Sequence, residues 1–363
     1  MISFFIVAGL VVFLMHITVG AWLFFLFPGL GWKWPIVFLP LLLTVLTCCS
    51  LAYTRTHYGI FENILYYVAY TWLGLVFVFF SLVILFTLLQ IILNAFHISE
   101  PRAVLGPVSL LLMFVAALLA LWGGVSEPKI KHIYIAIPHA QNMTAAVISD
   151  SHLGMGVSLS RWQKILARLQ AEKPDTILVL GDLFEYGANR AAYAKALADV
   201  SVPLGKYGVL GNHEYYVGLE NSIDFYKQAG IELLQNQAAI LSNGVQLVGI
   251  KDIKTASVSA AQLDELLART HPDAPRILLS HQPLLTETAA AHQIPLMLSG
   301  HTHAGQIWPF HYLVKLVFPH IYGLYTIGQH SQLYVTSGMF YWGMPLRLFA
   351  PAELPVIHIQ GHD

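Results

Sequence analysis

Five short polar motifs follow one another along the last two-thirds of the chain: Asp150-Ser151-His152, Gly181-Asp182, Gly211-Asn212-His213-Glu214, Ser280-His281 and Gly300-His301-Thr302-His303. Asp150, Asp182, Asn212 and the five histidines are enough to hold two metal ions and leave one imidazole for acid catalysis. Two divalent ions about 3.5–4 Å apart can clamp the attacking and leaving oxygens of a phosphoryl displacement. They also lower the pKa of a shared water, giving hydroxide near neutral pH. Imidazole is borderline in softness, so this donor mix suits Mn, Fe or Zn better than Ca or Mg. Taken singly, each motif has a plainer reading. Asp150 could cap a helix, Asp182 and Asn212 could be turn residues beside glycines, and His281 could be a satisfied loop histidine. The order of all five, each after an apolar run, argues for one site.

The runs before the motifs read as buried strands at 145–149, 176–180, 207–210, 245–250, 276–279 and 296–298, with two more at 332–336 and 356–360. Segments 159–171, 189–200, 219–229 and 259–270 carry apolar residues at three- and four-residue spacing and read as helices. Such alternation predicts a layered α/β domain. Ligands bind such sheets outside the carboxyl ends of the strands, so motifs distant in sequence can converge on one edge.

The composition is unlike that of an ordinary soluble domain: 56% of residues are hydrophobic and 11% charged. The excess is concentrated at the start. Residues 1–125 hold three basic residues (Lys33, Arg55, Arg102) and two acids (Glu62, Glu100) of the 19 and 20 in the chain. Four apolar stretches, 1–27, 34–53, 64–93 and 104–125, approach or exceed the ~20 residues that cross a bilayer as a helix. Pro28-Gly29-Leu30-Gly31 and Glu100-Pro101-Arg102 read as turns between them. The first stretch lacks a basic start and a small-residue cleavage site, which argues against a removable signal peptide.

Four spans put both termini on one side, with Arg55, Lys129 and Lys131 there and Lys33 and Arg102 opposite. The positive-inside rule then leans towards a cytoplasmic catalytic domain. Cys48 and Cys49 are adjacent within the second stretch and form no ordinary structural disulfide. A net charge of −1 without a basic tract gives no sign of nucleic-acid binding. The resulting division is a transmembrane helical domain at 1–125, a linker at 126–143 and a catalytic domain at 144–363. His16, His57 and His97, in or beside the spans, read as packed or interfacial groups.

The motif set and its order resemble the calcineurin-like metallophosphoesterase superfamily over roughly residues 144–360. The resemblance implies an α/β metallophosphoesterase domain, a layered β-sandwich flanked by helices, behind an α-helical transmembrane bundle of about four spans. It implies Asp150, His152 and His303 as ligands of a first metal, with Asp182 bridging to a second. Asn212, His281 and His301 complete the second site, and His213 acts as general acid. Gly-Asn-His-Glu-Tyr-Tyr (211–216), Ser-Gly-His-Thr-His-Ala-Gly-Gln-Ile (299–307) and the tail motifs at 333–338 and 345–351 are similar to a bacterial membrane-anchored subgroup. That resemblance implies a place in the bacterial inner (cytoplasmic) membrane. Some members cleave lipid-linked pyrophosphates. Ala304 and Glu214 stand where glycine and aspartate are common, and neither is an implied ligand.

The expected activity is cleavage of a phosphodiester or pyrophosphate bond in a lipid-linked or membrane-proximal substrate, by in-line attack of metal-bridging hydroxide at two divalent ions, Mn favoured. A phosphomonoesterase or protein phosphatase, or a non-catalytic membrane sensor, are the alternatives. Arg347 is a candidate for bidentate contact with a substrate phosphate; a structural ion pair explains it equally well. Segment 307–325 is apolar and aromatic with Lys315 as its one formal charge. It reads either as a lid dipping towards the bilayer or as a packed covering loop.

Overall fold

The computed structural model describes residues 2–27, 35–98 and 102–362. The turns expected at 28–31 and 100–101, and Lys33, lie outside the described residues. The chain divides into two units. The first contains residues 1–125 and, from far along the chain, Ile307–Pro309 and Gly343–Leu348.

Four helices occupy the apolar stretches: α1 (Ile2–Leu26), α2 (Pro35–Tyr53), α3 (Ile60–Ala95) and α4 (Arg102–Val125). Among the described residues, Ile6–Leu26, Ile60–Ala95 and Val104–Val125 are long and apolar enough to cross a membrane; Phe38–Tyr53 is shorter. The 19 residues of α2 rise about 28 Å, just under a hydrocarbon core of ~30 Å. The 36 residues of α3 rise about 54 Å, so this helix must tilt or project.

His16 ties three of these helices together. Trp72 Nε1 donates to His16 Nε2 at 2.8 Å. That leaves the ring proton on Nδ1, which reaches Val12 O at 2.9 Å and lies 3.2 Å from Thr44 Oγ1. Both ring nitrogens are satisfied, as a buried imidazole requires. The C-terminal insertions pack in the same unit. Ile307, Leu346 and Leu348 form one apolar cluster with Val78 and Ala120. Arg347 N donates to Ala120 O at 2.9 Å. Gly123 and Gly124 permit this approach: a Cβ on either would strike the backbone of Arg347 or Pro345.

The second unit starts with a strand where a linker was expected. Lys129–Pro138 forms β1, in which Ile133, Ile135 and Ile137 are buried and alternate with exposed neighbours, the period-two signature of a half-buried strand. The strands that follow are β2 (Met143–Ile148), β3 (Thr176–Val179), β4 (Lys206–Gly208), β5 (Glu232–Leu233) and β6 (Gln237–Ile240). Beyond them come β7 (Gln246–Gly249), β8 (Arg276–Leu279), β9 (Leu296–Ser299), β10 (Gly323–Gly328), β11 (Ser331–Val335) and β12 (Glu353–His362). Among the described residues they make two six-stranded mixed sheets, ordered β1-β12-β2-β3-β4-β5 and β10-β11-β9-β8-β7-β6.

The helices of this unit are α5 (Leu159–Ala171), α6 (Arg190–Ala198), α7 (Asn212–Val217), α8 (Leu219–Gln228), α9 (Ala260–Ala268), α10 (Thr286–Ala291) and α11 (Phe310–Lys315). The central strands β2, β3, β7, β8 and β9 read as unbroken apolar runs because both faces are covered. Ala145 and Val147 of β2 join the core between the sheets, while Ala146 and Ile148 join Trp162, Ile165 and Leu169 of α5 on the other face. In β8, Ile277 and Leu279 face the inter-sheet core and Leu278 joins Leu263 and Leu267 of α9.

Candidate metal centre

The five motifs follow the carboxyl ends of β2, β3, β4, β8 and β9, four of them in loops or tight turns and the third, from Asn212 on, in the first turn of α7. Asp150, His152, Asp182, His301 and His303 all adopt positive φ, between 41° and 71°. Non-glycine residues rarely take this left-handed conformation, and such strain clusters where side chains are aimed at a site. Gly211 and Gly300 are needed for close approach: a Cβ on Gly211 would strike Asp182, and one on Gly300 would strike Ser149 and Asp150.

The side chains converge in two overlapping groups. His152 Nε2 lies 3.0 Å from His303 Nε2, and His303 Nε2 lies 3.5 Å from Asp150 Oδ1. In the second group, His281 Nε2 is 3.2 Å from Asp182 Oδ2, 3.1 Å from Asn212 Oδ1 and 3.1 Å from His301 Nδ1. Asp182 joins the groups, with Oδ2 also 3.9 Å from His152 Nε2. All seven expected ligands are thus brought together, and His213 lies beside them with its backbone N–H donating to Asp182 Oδ1 at 2.9 Å. Arg347 is in the helical unit and buried.

The electrostatics of the cluster call for positive charge. Burial would raise the pKa of Asp182, but His281 and His213 outweigh it and hold the carboxyl well below its usual range. Burial pulls His281 down, yet Asp182 outweighs it and lifts the imidazole to about 10. His213 is likewise lifted to about 9, against burial, by Asp182 and Glu185. His301 is pushed down to about 3 by burial and by the charge on His281. Asp150 is raised, chiefly by burial. The donors fit divalent metal: imidazole nitrogens and carboxylate oxygens within 4.8 Å of one another form the sets Asp150-His152-His303 and Asp182-His281-His301. Buried carboxylates need a compensating cation; without metal, protons on His281 and His213 supply it.

Two acids were not assigned a role from sequence. Glu185 Oε1 accepts from His152 Nδ1 at 2.7 Å and from His213 Nδ1 at 2.6 Å. It therefore fixes the tautomer of one ring and the orientation of both. Burial opposes its charge, but His152 and His213 hold its pKa below the usual carboxylate range. The available signal was an acid three residues after Gly181-Asp182. Glu214 accepts backbone N–H groups of Asp182, Leu183 and Gly211 at 2.7–2.9 Å, locking two of the motif loops together. Burial and the charge on Asp182 raise its pKa, opposed by the N–H groups of Leu183 and Asp182 and by His281.

Comparison with known proteins agrees with this geometry. A family profile described as Calcineurin-like phosphoesterase matches residues 143–305. An uncharacterized metallophosphoesterase of Campylobacter jejuni is 31% identical over 242 residues, 65% of this chain and 64% of that protein. One from Aquifex aeolicus is 32% identical over 230 residues, 62% of this chain and 88% of that protein. A zebrafish (Danio rerio) transmembrane protein with metallophosphoesterase domain is 31% identical over 273 residues, 69% of this chain and 62% of that protein. The chain thus spans less than two-thirds of the Campylobacter and zebrafish proteins.

Proposed function

Because this chain belongs to the calcineurin-like phosphoesterase family, we propose that it is a membrane-embedded hydrolase cleaving a phosphodiester or pyrophosphate bond in a lipid-linked or membrane-proximal substrate. The observation that carries this reading is the convergence of Asp150, His152, Asp182, Asn212, His281, His301 and His303 at the strand ends. Asp150, His152 and His303 would hold one divalent ion, and Asn212, His281 and His301 a second, with Asp182 shared. Manganese is favoured, with iron or zinc as alternatives. Bound there, the metals supply Lewis acidity and a water acidic enough to attack near neutral pH.

The chain's own groups do the rest. His213 is the proton donor to the leaving oxygen. Glu185 holds His213 Nδ1, which leaves Nε2 as the ring position able to exchange a proton. Without metal, the negative charges of Asp182 and Glu185 lift that imidazole to about 9; with the Asp182 charge shared by metals, Glu185 would be the group favouring the protonated form that a general acid requires. The Asp182 carboxylate, which accepts from the His213 backbone N–H, and Glu214, which accepts from the backbone N–H of Asp182, keep His213 in register with the ligands. Tyr216 and Trp342 set their rings edge-on to His213 at 5.4 and 5.6 Å and would flank the leaving group.

The test is hydrolysis of a chromogenic phosphodiester and its monoester by detergent-purified protein with Mn²⁺, beside Asp182→Asn and His213→Ala. Metal-dependent diester cleavage lost in both variants supports the proposal. Protein that binds no metal and cleaves neither ester overturns it; monoester turnover exceeding diester turnover favours a phosphomonoesterase instead.

A further inference from the structure

We propose that α11 is a second, peripheral membrane contact: it docks on the headgroup–acyl boundary of the bilayer that the helical unit crosses. Phe310, Tyr312, Leu313, Leu316 and Val317 are all exposed, Leu316 at 81%. Five exposed large apolar side chains within eight residues are unusual on a water-facing domain and mark an interaction surface. The one charged residue among them is Lys315, and a basic residue beside large apolar groups suits the polar edge of an interfacial helix.

Chain continuity identifies the occupant as lipid. Phe310 follows Pro309 directly, and Ile307–Pro309 belong to the helical unit, so the α carbon of Phe310 is about 3.8 Å from a residue of that unit. The neighbouring insertion in the helical unit meets a tyrosine cluster: Tyr66 Oη donates to Gly343 O at 3.1 Å, and Tyr70 packs on Gly343. Tyrosines grouped on a spanning helix mark the membrane–water boundary. The helix that carries the apolar patch therefore leaves the helical unit one residue after a segment packed beside spanning helices.

The patch is tied to the metal-centre loop. Gly305 (φ 77°) lies so close to the backbone of His311 that no Cβ would fit. Phe318, just after α11, sets its ring edge-on to His301 at 4.8 Å, and Lys254 Nζ lies 4.3 Å above that ring. Docking would bring a lipid surface next to the loop bearing His301 and His303. The presentation of a lipid-borne phosphoester there rests on the function proposed above; the docking itself does not.

The experiment uses the full chain in nanodiscs of phosphatidylcholine and phosphatidylglycerol, with Cys48→Ser and Cys49→Ser as background. An environment-sensitive fluorophore is attached at Leu316→Cys, at Leu313→Cys as a second site, and at Ile240→Cys on the edge strand β6, 62% exposed, as control. Docking by ~5–10 Å into the interface predicts blue-shifted emission at 316 and 313 that brominated lipid quenches, and no such quenching at 240. Emission at 316 and 313 that iodide quenches and brominated lipid does not, as at 240, overturns the proposal. Shielding from both quenchers also overturns it, and points to a protein partner such as a second copy. The readout needs no turnover, so an inactive preparation leaves it intact.

Discussion

Gln306 and Trp342 exchange two hydrogen bonds: Gln306 Nε2 donates to Trp342 O at 3.1 Å, and Trp342 N donates to Gln306 Oε1 at 2.9 Å. Each is the last residue of the catalytic unit before the chain enters the helical one, at Ile307 and at Gly343. Trp342 also meets the ring of His213. The reciprocal amide pair thus fastens two exit points together beside the proposed acid. Gln306→Leu removes both bonds from the part-buried Trp342 peptide, at a cost of about 0.5–1.5 kcal/mol each. Thermal melting in detergent should show a lower midpoint, with metal content unchanged.

Glu185 serves two imidazoles with one oxygen. Glu185→Gln keeps the shape and removes the charge. Activity or metal affinity should fall about 10–100-fold. The loss should be larger with an alkyl leaving group than with p-nitrophenolate, because a poor leaving group depends more on proton donation. Equal losses on both substrates would assign Glu185 to metal binding alone.

His281 sits between Asp182 and Asn212 with its pKa raised from 6.5 to about 10 in the metal-free protein. A raised folded-state value means its charged form stabilises the fold fully below pH ~6.5 and that this contribution is lost as pH rises through about 10. A metal must displace the proton, so affinity for Mn²⁺ should rise with pH across 6–8 by up to about tenfold per unit for one proton. Titration calorimetry in buffers of different ionisation enthalpy should show proton release; pH-independent binding without release would contradict it.

Gly123 has no room for a side chain beside the backbone of Arg347, whereas a Cβ on Gly9 of α1 would meet nothing within 4 Å. Gly123→Val should cost about 1–3 kcal/mol through overpacking. Gly9→Ala should be neutral or stabilising by up to ~1 kcal/mol, since alanine favours helix. Paired thermal melts in detergent decide the matter.

Much of this arrangement was legible in the sequence. The apolar runs at 176–180 and 276–279 gave strands within a residue, because burial on both faces leaves no polar alternation to confuse them. The five motifs announced their placement because each follows such a run. β1 was missed because its alternation begins with Lys129 and Lys131, whose charges read as linker. Glu185 was passed over because its role appears only when the β2 and β3 loops come together. The insertion of Gly343–Leu348 among the helices had no local signal at all: it depends on the absence of side chains at Gly123 and Gly124, more than 200 residues away. Non-local packing of that kind is invisible to periodicity.

The two insertions would make the phosphoesterase unit hard to cut free of the helical one. The polypeptide passes between its units at residues 125/126, 306/307, 309/310, 342/343 and 348/349. A protease cutting once after Val125 would leave Ile307, Leu346 and Leu348 still buried against Val78 and Ala120. A fragment expressed from Ser126 onward would carry those residues with their helical partners gone, and would be expected to clump rather than circulate freely.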